Sequence, residues 1–502
     1  MNPLSSTIAA VSTPRGRGGI AVIRISGTDA VSVAGRMFVP AGKTAVPDLP
    51  DRYAAFGDIL DPDGIPCDTG ICTIFHAPKS FTGETMVEIS CHGGISVTET
   101  VLLSAIAHGA VMADAGEFTK RAFLNGKLSL TEAEAVGGLI DADTAEKMKL
   151  AGGAVRGNVS REIKRLSDSL LDVMTALYAA IDYPEEDVGD EGERQIGEVL
   201  RTVSGGVKRL LATYKTGRAV QSGVKCVICG RPNVGKSSLF NRMVGEESAI
   251  VTSVAGTTRD VLRETVSFGG VTLRLSDTAG IHASDDAVEK IGITRAVDEI
   301  EGAELILAVW NASESLTEHD RELLTRLKTA SAPVITVLNK TDLPRGLSDE
   351  DEAAVAAVSG DVIRVSCETE DGIAELASAV AKLFGSDKLD LRHDAVIWDV
   401  RQRTQLMRAD AALDAAVNGL TFGDPLDAVC TTVEEAMAAL SETDGRGVNE
   451  EIVNEIFARF CVGKSGKPLR GKRKKKVPVG YFFKFYVPAR DGLIRGPIVA
   501  LL

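Results

Sequence analysis

The chain has 502 residues, more than one hydrophobic core fills, and its length points to about three domains. It is 44% hydrophobic and 25% charged, with no apolar run long enough for a bilayer, which excludes a membrane-embedded or disordered class. The net charge of −14 argues against a broad electrostatic coating of nucleic acid and leaves local basic patches open. Eight cysteines without framework spacing fit reduced thiols. The first residues lack the basic-then-apolar pattern of a secretion signal, so a cytoplasmic protein without membrane contact is expected.

Residues 1–125 read as an α/β unit. A strand at Ile20–Ile25 follows the loop Thr13-Pro14-Arg15-Gly16-Arg17-Gly18-Gly19. A second strand, Met86–Ser90, runs into Cys91-His92-Gly93-Gly94, and Val97 to His108 reads as a helix. Arg24, Glu88 and His92 stand at glycine-rich corners, where they either line a small-molecule pocket or are surface charges beside turns. Residues 126–220 are helical, with an apolar stripe of Ile163, Leu166, Leu170, Val173, Leu177 and Ile181 ended by the acidic turn Asp182–Asp187. Residues 221–387 alternate strand and helix patterns, as a doubly wound sheet requires. Residues 388–464 are helical again, with Leu406, Leu413, Val417 and Leu420 on one face and Val433, Met437 and Leu440 on another. Two helical blocks around a complete α/β module imply an insertion into one discontinuous helical domain.

Within the central module, Gly230-Arg231-Pro232-Asn233-Val234-Gly235-Lys236-Ser237 matches G-x-x-x-x-G-K-[ST], the phosphate-binding loop of nucleoside triphosphatases. The two glycines let consecutive N–H groups turn towards phosphate oxygens, and the following helix presents its positive end. Lys236 supplies charge to the outer phosphates and Ser237 a hydroxyl to Mg²⁺. Cys226 and Cys229 form a C-x-x-C in the apolar strand before the loop, where small core residues are expected rather than a redox or zinc pair.

Further elements follow in the order of a GTPase. Thr252-Ser253-Val254-Ala255-Gly256-Thr257-Thr258 occupies the place of the first switch, where a threonine hydroxyl, assigned to Thr258, completes the Mg²⁺ shell. In Asp277-Thr278-Ala279-Gly280, Asp277 holds Mg²⁺ through water and the Gly280 N–H reaches the terminal phosphate. Asn339-Lys340-Thr341-Asp342 fits guanine recognition: a carboxylate accepting from N1–H and the exocyclic amine meets the wrong pattern in adenine, at about 1–3 kcal/mol per mispaired group. Ser366, Cys367 and Glu368 fit the loop that touches the base, and Asn233, Val234, Gly235 and Ser238 complete the GTP-binding set. Ras-like GTPases orient water with Gln after Asp-x-x-Gly, but here the residue is Ile281, so a carboxylate, a bound cation or a partner must do that work; Asp285, Asp286 and Glu289 lie nearby in sequence.

With these residues the chain closely resembles the bacterial tRNA-modification GTPases MnmE, also called TrmE, over roughly residues 6 to 464. The resemblance is carried by Thr7-Ile8-Ala9-Ala10, Gly16-Arg17-Gly18-Gly19, Phe81-Thr82-Gly83-Glu84, Cys91-His92-Gly93-Gly94, Gly116 to Leu128, and Phe460-Cys461-Val462-Gly463-Lys464. It implies a multidomain α/β and all-α architecture: an N-terminal tetrahydrofolate-binding and dimerisation domain, a discontinuous helical domain, and an inserted Ras-like doubly wound G domain. It implies a homodimer that joins the FAD- and NADH-dependent partner GidA (MnmG) in a heterotetramer or larger complex. Together they install aminomethyl or carboxymethylaminomethyl groups on the wobble uridine of tRNA, with a folate one-carbon unit.

Matched residue by residue, the family's folate contacts fall on Arg24, Glu88, Lys127 and Lys464, and its K⁺ site on Asn233, Thr252, Val254 and Thr257. K⁺ there stands where an arginine finger otherwise neutralises transition-state charge. The family's water-orienting carboxylate falls on Glu289, and a cysteine needed for modification on Cys461, which a buried structural cysteine would equally explain. The chain departs from the family at Ala115, where Pro is usual, and continues beyond Lys464 with a basic run, Lys472 to Lys476, and aromatic residues Tyr481 to Tyr486. Residues 465–502 are thus either an extra tRNA-phosphate contact or an unstructured extension. The guanine-nucleotide set would also serve a regulatory switch or a ribosome-assembly GTPase, but that reading leaves Arg24, Glu88, Lys127 and Cys461 without a role.

Overall fold

The computed structural model describes residues 6–14, 16–182, 189–245, 263–276, 302–359, 362–447 and 450–458. The chain divides into Met1–Val462 and Gly463–Leu502, and the second unit lies wholly outside the described residues. In the N-terminal part, strands β1 (Ile8–Val11), β2 (Ile20–Ser26), β3 (Phe38–Pro40), β4 (Ala54–Leu60), β5 (Pro66–Phe75), β6 (Met86–His92) and β7 (Val111–Met112) form one sheet in the order β3-β4-β5-β6-β2-β1-β7. Alternation along β2 turns Ala21, Ile23 and Ile25 into the core, beside Val33 and Met37 of α1 (Ala30–Met37) and Val101 of α2 (Ile95–Ala107). Arg24 leaves the opposite face, in register with Glu88 of β6. Five of these strands carry no expectation from the sequence. β4 and β5 mix apolar residues with Asp58, Asp68, Thr69 and Gly70, which obscures their period.

One buried cation draws several segments of this unit together. Arg121 of α3 (Glu117–Leu124) is 1% exposed and pairs with Glu84 at 3.1 Å and Glu117 at 2.8 Å, while Nη1 donates to the Ser6 carbonyl at 2.8 Å. Glu84 in turn accepts from Ser26 Oγ at 2.7 Å. The segment around Ser6, β2, the loop before β6 and α3 are therefore held at one point.

Helices α4 (Leu130–Ile140), α5 (Ala145–Val155), α6 (Asn158–Asp182) and α7 (Gly189–Gln221) precede the second sheet, and α12 (Val400–Phe422), α13 (Leu426–Thr443) and α14 (Glu450–Ala458) come after it. Ile163, Leu166, Leu170, Val173 and Leu177 of α6 share one core with Leu406 and Leu413 of α12 and Val433 and Leu440 of α13. The expected stripe fails at Ile181, which is 38% exposed: it lies in the last turn before Asp182, at the margin of that core. Arg401 of α12 locks the two helical blocks, reaching the Glu134 carboxylate with two bonds of 3.0 Å and the carbonyls of Glu442 and Thr443. Among the described residues no helix is long and apolar enough to cross a membrane.

The second sheet contains β8 (Val224–Cys229), β9 (Arg263–Phe268), β10 (Val271–Ser276), β11 (Leu305–Asn311), β12 (Val334–Asn339) and β13 (Val362–Arg364), ordered β13-β12-β11-β8-β10-β9. Its pairs are parallel except the hairpin β9–β10. β11 is buried along its whole length, as a central strand covered on both faces must be. The covering helices are α8 (Lys236–Gly245), α9 (Glu318–Leu327), α10 (Asp349–Ala356) and α11 (Ile373–Phe384).

Removing Arg121 leaves Glu84 and Glu117 facing each other without a cation. Arg121→Ala is expected to destabilise the N-terminal unit by about 3–5 kcal/mol. Urea denaturation monitored by circular dichroism measures this; a loss under about 1 kcal/mol would mean the carboxylates find other partners.

Candidate active site

The phosphate-type loop joins the carboxyl end of β8 to α8, and its backbone leaves no room for side chains at the glycines. A Cβ on Gly230, at φ 151°, would meet the Val309 carbonyl at 2.3 Å, and one on Gly235, at φ 100°, would meet Asn339 Nδ2 at 2.0 Å. Asn233 sits at φ 64°, the left-handed region that asparagine tolerates better than most residues. Lys236 folds back across the loop, donating to the carbonyls of Gly230 and Arg231 at 2.9 Å each. Burial holds its pKa below the ordinary lysine value. Ser237 and Ser238 stand in the first turn of α8, at the helix end that carries positive partial charge.

The sheet brings two further loops to this one. Asn339, 2% exposed at the end of β12, donates from Nδ2 to the Val234 carbonyl at 2.8 Å and accepts at Oδ1 from the Cys367 N–H at 3.3 Å. Its side chain therefore ties the glycine loop to the loop after β13. Lys340 comes next at φ 65°, and Asp342 reaches Ser366, whose hydroxyl donates to Oδ1 at 2.7 Å. Ser366 is itself buried and accepts from the Thr369 N–H at 3.2 Å. Thr341 donates its N–H to the Val365 carbonyl at 3.3 Å, and Glu368 is exposed at the rim. The result is an exposed, oriented carboxylate beside a basic, amide-lined loop, an arrangement suited to a ligand with phosphates at one end and adjacent N–H donors at the other.

A second cluster lies in the N-terminal unit. Arg24 contacts Glu88 Oε1 through Nε at 2.9 Å and Nη2 at 2.7 Å, and its guanidinium lies 5.4 Å from the Phe81 ring centroid and 5.8 Å from that of Phe118. Lys127 donates to the Pro78 carbonyl at 3.1 Å and packs against Gly83, so it braces the segment that supplies Phe81. α14 packs on α3 beside this cluster: the Phe123 and Phe457 rings are 6.1 Å apart, and Lys120 Nζ donates to Asn454 Oδ1 at 2.6 Å. His92, the third residue marked at the glycine-rich corners, is instead exposed and held by Asp68 at 2.7 Å.

Comparison with known families places the chain as a whole. The family model for the MnmE helical domain matches residues 130–461, and that for the GTP-binding protein TrmE N-terminus matches residues 7–127. The chain belongs to the MnmE family. The tRNA modification GTPase MnmE of Levilactobacillus brevis is 42% identical over 463 residues, covering 91% of this chain and 98% of that protein. The protein of the same name from Geobacillus kaustophilus is 41% identical over 461 residues, with 91% and 99% covered.

Of the residues singled out for MnmE-type chemistry, Thr252, Ser253, Val254, Ala255, Gly256, Thr257, Thr258, Asp277, Thr278, Ala279, Gly280, Glu289, Cys461 and Lys464 lie outside the described residues. Sequence reasoning passed over Phe81 and Phe118 as partners of Arg24. Both stand in quoted motifs, but only the fold brings the rings together. It also assigned Asn339 to the base alone, and missed that its amide joins two loops.

The C-x-x-C resolves by strand geometry. Cys226 packs among the core residues on one face of the sheet and Cys229 among those on the other. Burial pushes the Cys229 thiol up to about 12 and that of Cys226 also well above its usual value. Both thiols should resist a maleimide in the native protein at pH 8 and react once it is unfolded, read by mass spectrometry of the tryptic peptides. Native labelling at either position would show that the strand opens.

Proposed function

We propose that this chain is a GTPase acting in tRNA modification, with the α/β unit from Val224 to Phe384 as a G domain inserted into the helical domain. The observation that carries the reading is the Asn339 bridge, which aligns a phosphate-type loop with the Asp342 carboxylate across the ends of parallel strands. In this reading the backbone of Asn233 to Ser238 and the Lys236 ammonium bind the phosphates, while Asp342 accepts from guanine N1–H and the 2-amino group. The positive φ at Gly230 and Gly235 fits a turn that aims consecutive backbone N–H groups at an anion.

The family resemblance extends this reading. Ser237 and Thr258 would hold Mg²⁺, with Asp277 acting through water, and Asn233, Thr252, Val254 and Thr257 would hold K⁺. These cations would supply charge that offsets the phosphate oxygens. Glu289 would orient water in place of the glutamine that Ile281 replaces.

Arg24, Glu88 and Lys127, with Lys464, would bind a tetrahydrofolate derivative. A carboxylate suits the donor-rich pterin, and cations suit the glutamate carboxylates. Cys461, three residues beyond α14 in the chain, would act at that site, a reading that the packing of α14 on α3 favours. The acting assembly would be a homodimer with GidA (MnmG), which carries FAD and NADH, in the cytoplasm, and its substrate the wobble uridine of certain tRNAs.

Nucleoside analysis of tRNA from cells lacking this chain tests the proposal. The (carboxymethyl)aminomethyl wobble uridines should vanish and return on complementation; an unchanged profile would reject the modification role.

A further inference from the structure

The hairpin β9–β10 meets α5 through a polar contact that nucleotide binding leaves unused. Ser267 and Thr272 are directly opposed across the antiparallel pair, so their side chains leave the same face. Both are buried, and the N-cap and first turn of α5 meet them. Ser267 Oγ donates to the buried carboxylate of Glu146, whose other oxygen lies 3.4 Å from Lys149 Nζ. Thr144, the N-cap of α5, accepts from the Lys147 N–H at 3.3 Å and places its hydroxyl 3.4 Å from that of Thr272. One turn further along, Leu150 enters the same core cluster as Val266, Phe268, Val271 and Leu273. The hairpin tip is fixed separately: Gly269 and Gly270 sit at φ 61° and 71°, and Ser386 Oγ donates to the Gly269 carbonyl at 2.6 Å.

Along the chain, this hairpin stands between the two stretches that carry the proposed GTP-responsive motifs. Thr257-Thr258 precede Arg263, and Asp277 directly succeeds Ser276. The two hydrogen bonds to α5 belong to one rung of the hairpin. A slide of one strand residue, about 3.3 Å, would break both and leave a buried carboxylate without its hydroxyl partner. A displaced hairpin would have to carry α5 with it or break both bonds, and α5 packs in turn on α4, α6 and α7.

We infer that Glu146 is a positioning residue of the GTP cycle, coupling the β9–β10 hairpin to the helical domain through Ser267. The inference rests on the GTPase reading above. It is tested by amide exchange over residues 145–155 of the full chain, with GDP and with a non-hydrolysable GTP analogue bound. In the wild type the two states should differ about fivefold or more. Ser267→Ala and Glu146→Ala should each erase that difference, whereas Glu146→Gln, which keeps an oxygen for the Ser267 hydroxyl, should retain it. A purely structural role would raise exchange equally in both states and preserve the difference in the alanine variants, overturning the inference. A wild type with both nucleotides bound and identical α5 exchange would also overturn it. Failure to bind either nucleotide would instead remove the GTPase reading, and this coupling with it.

Discussion

The site in this protein depends on one buried amide. Asn339 satisfies a carbonyl of the glycine loop with its Nδ2 and a backbone N–H of the loop after β13 with its Oδ1, so neither loop can shift without stranding a polar group. Each such group left unpaired in the interior costs about 1–3 kcal/mol. The same amide sits where a Gly235 side chain would have to go, which binds the glycine requirement of the loop to the asparagine of a strand far along the sequence. Carboxyl ends of parallel strands are where such sheets place ligands, and here one side chain joins three of those ends.

The N-terminal unit repeats this logic with charge. Arg121 draws together the first described residues, β2 and α3, and is compensated by two carboxylates and a carbonyl, so its burial is tolerable. The rigid frame sets Arg24 between two aromatic rings and one carboxylate at the sheet surface. α14 then leans on α3, which gives the helical domain a direct mechanical and chemical connection to that cluster. Within the helical domain, Arg401 and Glu134 close the seam between the two blocks that flank the second sheet.

What the sequence revealed and what it concealed divide along the range of the interaction. The phosphate-type loop, the strands that end at Ser276 and Asn339, and the α6 stripe are local patterns, and each is readable from spacing. The strand reading also anticipated that Cys226 and Cys229 are core residues, because an offset of three in a strand sends them to opposite faces. Arg121, Arg401 and Glu146 look like surface charges on amphipathic helices: Glu117–Arg121 and Glu146–Lys149 read as ordinary one-turn pairs, and partners dozens to hundreds of residues away make each residue a junction between segments. Ile181 errs in the other direction, since periodicity marks a face and not how far the covering helices extend. The family resemblance, on which the proposed folate and cation residues rest, is silent on why Phe81 and Phe118 stand beside Arg24.

In the proposed function Asp342, oriented by Ser366, reads guanine while Asn339 holds the frame. Asp342→Asn replaces an acceptor by an amide that can donate, which suits the C2 carbonyl of xanthine in place of the 2-amino group of guanine. Competition titration of GDP against XDP on the wild type and the variant is the most direct test. The account predicts that the variant loses about 100-fold in GDP affinity, from about 1.4 kcal/mol at each of two hydrogen bonds, and gains preference for XDP. Unchanged GDP binding, with no gain for XDP, would contradict it.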